Sequence, residues 1–454
     1  MSDITDSQIN LIPTTVIDEE PELTTDVDLT QVKNKGCLSS FCIKFSKGYK
    51  TYTILQLTSS SITIVCMTLP YILHTFGVIE GGIIIFLLSL FLFYTMNLML
   101  EVIIKTGSIS YYYFLNYNIG KKTSNIYATF NFIYLISLIM ILDYFSLCFI
   151  CDFIMAYFKI NPIATISKFV FGLILVIGIQ FPFSVKPYEV VHLIGQYLTM
   201  LTVMFGLVII FVQMLIKANN IKKDSIVLFK KSNWDMLYSI GIIILIFNSH
   251  NNLFENFKGF KINTKKRQNK VILIHFITIF LIVLAFAYIG YFLSLSANSF
   301  NSFNSIILLT SNELVTSPFA KALLYILKLL LVISFQFKII SLISKMKEEI
   351  KFISHNQIST IISILLSIFI PLISCAISLF VRNILTIIGI AGGICSCIIC
   401  FAIPSYAYSV LVTGNSIQEI INLIVMIGGI LLGGFITVFS FIDSYKIQLN
   451  IEFV

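Results

Sequence analysis

The sequence predicts an all-α polytopic membrane protein of about eleven transmembrane helices. Three observations carry that expectation. Of 454 residues, 57% are hydrophobic and only 11% are charged, against about 25% charged in a soluble domain. The apolar residues lie in long continuous runs, not in the alternation of a membrane β-barrel. The remaining charge sits mostly in short segments between the runs. The net charge of +8 therefore reads as membrane topology, and no nucleic-acid partner is expected.

The chain begins with an acidic stretch. Residues 1–32 hold Asp3, Asp6, Asp18, Glu19, Glu20, Glu22, Asp26 and Asp28 and no Lys or Arg. Low hydrophobicity with one sign of charge predicts a disordered tail, and the stretch lacks the form of a signal peptide. Lys33, Lys35, Lys44, Lys47 and Lys50 follow. A basic flank before the first span places the N-terminus in the cytoplasm. Residues 1–50 are thus read as a cytoplasmic tail, 51–441 as the transmembrane domain and 442–454 as a short C-terminal tail.

Eleven runs are each long enough for about 20 residues of helix: 53–76, 82–104, 126–156, 166–184, 189–216, 235–255, 270–296, 317–344, 357–381, 384–411 and 417–441. The weakest junction is the one at Arg382 and Asn383. The connecting charges check the count. Lys105, Lys121, Lys122, Lys186, Lys258, Lys261, Lys265, Lys266, Arg267, Lys270, Lys345, Lys347 and Lys351 all fall on expected cytoplasmic loops, and 297–316 on the outside carries no Lys or Arg. Residues 217–231 oppose the pattern, with Lys217, Lys222, Lys223, Lys230 and Lys231 on the expected outside. An odd count puts the C-terminus on the external or luminal side.

Two spans are interrupted. The first carries Thr58, Ser59, Ser60, Ser61 and Thr63 ahead of Pro70. The sixth breaks at Asn248, Ser249, His250, Asn251 and Asn252. Hydrocarbon cannot satisfy polar groups or unwound backbone, so such breaks persist only inside protein or around a water-filled cavity. The two breaks occupy corresponding places in two five-span units, 53–216 and 235–411, with 417–441 left over as an extra helix. Opposite parity makes the units inverted. Inverted repeats with interrupted helices mark transporter sites: half-helix N–H ends attract a carboxylate, and carbonyl ends attract a cation. A zwitterionic amino acid offers both charges.

Other polar groups sit within the spans. Asp143 lies inside span three and Asp152 nearer its end, while Lys328 lies near the middle of span eight. Charge at such depth is paired or solvated by a cavity. Asp143 reads equally as a relay and as a structural partner. Lys328 reads mainly as structural, with a sharper alternative in which its ammonium stands where a coupling Na⁺ would. Lys338 and Glu101 lie near cytoplasmic ends and are expected to snorkel. His74, His192 and His250 sit in or beside spans, and His250 leads as a proton-coupling candidate because it lies in the break. Seven cysteines, Cys66, Cys148, Cys151, Cys375, Cys395, Cys397 and Cys400, fall in apolar runs as small hydrophobes. Neither a metal nor another cofactor is expected. Phosphate-loop, zinc-protease and nucleophile-elbow signatures are lacking, so an enzyme is not expected. Glycines at 389, 392, 393, 428, 429, 433 and 434 read as close helix packing.

Several motifs, in order, carry a family resemblance: Leu69-Pro70-Tyr71 with Gly77; Tyr144 to Asp152; Phe247 to His250 followed by Glu255, Lys265, Lys266 and Arg267; and Arg382 through Ile403-Pro404-Ser405-Tyr406. Across about residues 50–441 the chain resembles the amino acid/auxin permease family, in the amino acid–polyamine–organocation group. The resemblance implies a LeuT-like 5+5 inverted repeat and secondary active transport of amino acids in a multi-pass plasma or vacuolar/lysosomal membrane, coupled to H⁺ or Na⁺. The chain departs from the family ahead of Leu69. Ser59, Thr63 and Val65 stand where the family carries Asn and a Gly-x-Gly, which tilts the expectation toward H⁺. Substrate contacts are expected from Ser59, Ser60, Ser61, Thr63, Phe247, Asn248, Ser249 and Tyr144, and coupling candidates are Asp143, His250, Lys328 and Ser334. The rival readings are a Na⁺-coupled or facilitative carrier of another small solute, and a non-transporting amino acid sensor that signals through the acidic tail. The oligomeric state is open.

Overall fold

A computed structural model of the chain describes residues 50–62, 68–108, 110–158, 165–185, 189–217, 219, 221, 226–230, 234–258, 264–296, 318–354, 359–380, 384–412 and 416–452. The acidic tail, Thr63, the 297–316 loop and the Arg382–Asn383 junction lie outside them, as does the side chain of His192. The described residues belong to one compact unit, Lys47–Val454, and their regular structure is helical throughout.

The order is α1 Lys50–Ser61, α2 Leu69–Phe76, α3 Val78–Thr106, α4 Tyr111–Asn118, α5 Lys121–Phe158 and α6 Thr165–Leu175. A π-turn, Val176–Gln180, leads into α7 Phe181–Val185. Then come α8 Glu189–Lys217, α9 Asp235–Phe247, α10 His250–Lys258, α11 Lys265–Ser296, α12 Pro318–Ile353 and α13 Thr360–Phe380. After α14 Ile384–Ile390 the chain passes through two π-segments, Ala391–Cys395 and Ile398–Ala402, into α15 Ile403–Leu411 and finally α16 Ser416–Glu452. Each of the eleven expected runs meets a helix, a pair of half-helices or a helix with a π-distortion. Among the described residues nine helices are long and apolar enough to cross a bilayer, and Phe169–Val185 is a shorter apolar one. The last helix runs on to Glu452, past the limit of 441 read from hydropathy.

Burial separates centre from periphery. In the most apolar window of each span, 83% of Thr386–Leu411 and 78% of Met236–Phe257 is buried, against 22% of Ser416–Ile442 and 28% of Thr360–Leu379. Outer helices carry exposed apolar side chains, such as Phe86 and Phe91 on α3, Leu281 on α11 and Phe435 on α16. Such a surface suits hydrocarbon, which makes no demand for polar groups. The interrupted sixth segment sits in the protein interior, where unwound backbone is tolerated.

One corner of the bundle is pinned by backbone pairing. Val78 and Ile79 donate to the carbonyls of Val227 and Leu228 (3.0 and 3.1 Å), and Lys230 N–H donates to Phe76 O (3.0 Å). The Lys230 ammonium donates to His74 O at 3.1 Å, so a cation caps the carbonyl end of α2. At least this lysine of the 217–231 loop, which opposed the charge pattern, has a local structural role. Gly77 makes the pairing possible: its φ is +94°, and a Cβ there would lie 2.6 Å from Leu228 O. Gly77→Ala is expected to cost roughly 1–3 kcal/mol, from left-handed strain plus a backbone overlap. The purified protein's thermal unfolding midpoint would fall; an unchanged midpoint would contradict the pairing.

Candidate functional site

The site begins where two helices stop. α9 ends at Phe247 because Asn248 leaves the helical region (φ −73°, ψ 84°). Asn and Ser side chains compete for backbone hydrogen bonds, which favours an end there. Ser249 N–H donates to Phe247 O (2.9 Å), and Asn252 N–H donates to Ser249 O (3.0 Å), starting the next half-helix. α1 ends at Ser61, and α2 opens with Pro70 in its first turn, where a missing N–H costs nothing.

The two breaks touch. Ser61 Oγ and Ser249 Oγ are 2.6 Å apart. Ser249 Oγ is also 2.9 Å from His275 Nε2, and His275 Nδ1 is 3.2 Å from Thr58 Oγ1. One imidazole on α11 therefore bridges both interrupted segments, and all four side chains are buried. Asn248 Nδ2 donates to Ser396 Oγ (3.2 Å), whose hydroxyl donates to Ala391 O (2.6 Å). That ties the sixth segment to the π-distorted tenth. His250 Nε2 lies 3.0 Å from Thr95 Oγ1 on α3.

Beside this junction is a cavity enclosing about 830 Å³, counted out to its mouth. α1 lines it with Gln56, Ser59 and Ser60; α5 with Asn131, Tyr134, Leu135 and Leu138; and α8 with Gly195, Gln196 and Thr199. The sixth segment gives Asn248, Asn251, Asn252 and Glu255, and α12 gives Phe337, Lys338, Ser341, Leu342, Lys345 and Glu349. Lys338 does not snorkel outward. Its ammonium donates to Ser59 O at 3.3 Å and Ser60 O at 3.2 Å. Toward the end of α10, Lys345 pairs with Glu255 at 3.1 Å and also donates to Asn252. Tyr127 OH donates to Glu349 Oε1 (3.1 Å) and lies 3.3 Å from Asn251 Oδ1. Asn251 in turn donates to Asn131. These bonds stitch α5, α10 and α12 together around the far end of the cavity.

Of the expected contacts, Ser59, Ser60 and Asn248 line the cavity, while Ser61 and Ser249 form the bond behind it. Phe247 turns to Phe276 of α11, ring centroids 6.2 Å apart. Tyr144 packs edge-on to Phe145. The coupling candidates are scattered. Asp143 Oδ1 accepts from Gln180 at 2.8 Å; Gln180 also donates to Gln336 (2.9 Å), and Gln336 donates to Ser146 (3.2 Å). Lys328 is 3.3 Å from Asp152 and 5.6 Å from the Tyr325 ring centroid. Ser334 bonds Thr199 at 2.9 Å. His275 went unremarked in the sequence because it interrupts VILIHFITIF without any accompanying motif. The most apolar stretch of α11 is only 33% buried, so the helix is mainly lipid-facing, yet His275 itself is buried.

The arrangement has relatives. The sequence model of the transmembrane amino acid transporter proteins matches residues 47–445. No curated protein matches the sequence. Among solved structures, the chain is similar to Mhp1, a nucleobase-cation-symport-1 family transporter, in a closed conformation with bromovinylhydantoin bound, at 11% identity and a TM-score of 0.55. That match covers 88% of this chain and 93% of the other. It is also similar to the inward-facing conformation of Mhp1 (10%, TM-score 0.53, 87% and 90% covered). A manganese transporter mutant of Eremococcus coleocola gives 10% identity, a TM-score of 0.53 and coverage of 87% and 94%. Identities this low show the fold alone, and the fold is that of the LeuT-like transporters. With that architecture and a family match over most of its length, the chain belongs to the transmembrane amino acid transporter family.

Proposed function

We propose that the protein is a secondary active transporter that moves amino acids with neutral side chains across its membrane by alternating access, driven by H⁺. The observation that carries this reading is the Ser61–Ser249 bond, which joins the two interrupted helices beside a polar cavity. Half-helix ends there offer N–H groups to a carboxylate and carbonyls to a cation. The cavity's charges are balanced. Lys345 faces Glu255, Glu349 is held by Tyr127, and Lys338 is taken up by backbone carbonyls. Little charge is left over for a charged substrate side chain, which favours neutral ones. The repeats would run 53–216 and 235–411, with 417–441 as the added helix.

The test is a panel of labelled amino acids offered to proteoliposomes holding the purified protein, under a pH gradient, a Na⁺ gradient or neither. Accumulation of one or more neutral amino acids under the pH gradient alone is the expected result. No uptake under either gradient would count heavily against transport, and uptake requiring Na⁺ would remove the proton assignment.

A further inference from the structure

The last four carbonyls of a helix have no partner within it, and they carry the negative end of its dipole. α1 stops at Ser61, a buried residue inside the protein. Two of its terminal carbonyls, Ser59 O and Ser60 O, receive the Lys338 ammonium at 3.3 and 3.2 Å. The carbonyl end of an interrupted helix is where transporters of this architecture hold a coupling cation. Here a cation is already present, tethered to α12 by a four-carbon stem.

Lys338 differs from the neighbouring lysines on its own helix. Lys328 has Asp152 at 3.3 Å, and Lys345 has Glu255 at 3.1 Å. Among the described residues Lys338 makes no ion pair, and its ammonium is held there by the Ser59 and Ser60 backbone carbonyls. It also lines the cavity, so water has access to it. An ammonium without a carboxylate partner can give up its proton without leaving a bare anion behind. A lysine taken out of bulk solvent also changes its protonation readily with its surroundings.

We propose that the Lys338 ammonium is the built-in cation of this site and the group through which proton and substrate movement are linked. Protonated, it clamps the carbonyl end of α1 to α12. When Nζ passes its proton to cavity water, the charge–dipole attraction is lost and α1 is released to swing from α12. Reprotonation restores the clamp. Four titratable groups share the cavity and shape this step. Tyr134 projects from α5 and Glu255 from α10, and Lys345 and Glu349 stand farther along α12. α1 and α8 line it with amide, hydroxyl and glycine positions only.

The inference rests on the proton-driven reading above, and the experiment separates the two. Full-length protein is compared as wild type, Lys338→Met and Lys338→Gln, all checked for monodispersity. The first readout is pH-gradient-driven accumulation in proteoliposomes beside exchange of labelled for unlabelled amino acid without a gradient. The ratio of accumulation to gradient-free exchange should fall by about tenfold or more in both variants, since coupling is lost beyond any effect on passage. The second readout needs no transport. A Gln56→Cys thiol in α1 is labelled with a water-soluble reagent in detergent at acidic and alkaline pH, and the Lys338→Met background corrects for the reagent's own pH response. Labelling should rise with pH more steeply when Lys338 is present. Wild-type accumulation matched by both variants would overturn the proposal and leave transport standing. A wild type that moves no amino acid, yet shows the Lys338-dependent labelling, would sink the transport reading and leave the clamp. Identical labelling profiles in both backgrounds would overturn the clamp whatever the uptake.

Discussion

Replacing Gly392 by alanine is expected to prevent the sixth and tenth segments from packing, with loss of most folded protein. A Cβ at Gly392 would lie 2.1 Å from the Gly241 carbonyl oxygen. Both partners are main chain, so no side-chain rotation relieves the overlap. Typical overpacking costs about 1–3 kcal/mol where side chains can shift; a contact between two backbones should reach or exceed the upper end. Distortion is already stored here. Gly393 leaves the helical region (ψ −110°), and Ile394 N–H finds Thr437 Oγ1 at 3.0 Å in place of a helical carbonyl. Separating the segments would also weaken the Asn248–Ser396 bond at the site. Size-exclusion profiles and unfolding midpoints of detergent-purified protein would report the effect. Gly428→Ala is the control, since nothing lies within 4 Å of a Cβ at that glycine. Equal behaviour of the two variants would contradict the close approach.

The second large effect is expected at His275. Its imidazole is bonded on one side to Ser249 and on the other to Thr58. His275→Ala takes one partner from each of two buried hydroxyls; Ser249 keeps Ser61, while Thr58 loses the imidazole it bonds, at about 1–3 kcal/mol for a buried group left unsatisfied. A stability loss alone would mean only a structural strut. If His275 holds the two interrupted segments in register, KM for uptake should rise about tenfold or more even in the folded fraction, because small misplacement of binding groups is costly. His275→Gln, which can both donate and accept, should recover part of the loss, and His275→Phe, which fills the space without polar atoms, should not. Normal KM in folded His275→Ala protein would remove the positioning role.

How much was legible depended on how local the signal was. Asn248-Ser249 and Pro70 are breaks written in consecutive residues, and both half-helix pairs form there. Long apolar runs specify helices wherever the surroundings are hydrocarbon, because no other backbone arrangement satisfies itself. That is why all eleven runs correspond to helical segments. Partners far apart in the chain left no such trace. His275 meets Thr58 across 217 residues, and neither residue's neighbours signal the other. Phe247 was read as a substrate contact from its place next to the break; its ring neighbour Phe276, on a separate helix, is one that the local sequence does not name.

Two of the α12 lysines, Lys328 and Lys338, show the division most plainly. In sequence, Lys328 sits deeper in its apolar run and looked the stronger candidate for a cation at the site, while Lys338 looked close enough to the helix end to reach water. Ten residues on a helix are nearly three turns, about 15 Å, and that distance places them beside different partners: Asp152 for one and the end of α1 for the other. The sequence by itself determined the class of fold, the order of its apolar helical runs and the position of its two breaks, because each follows from hydrophobicity and backbone chemistry within one stretch of chain. Only the tertiary structure decided which side chains meet at those breaks, and so that a lysine's charge lies on the open carbonyls of α1. Those contacts depend on how separate helices are rotated and packed, and no single segment encodes that.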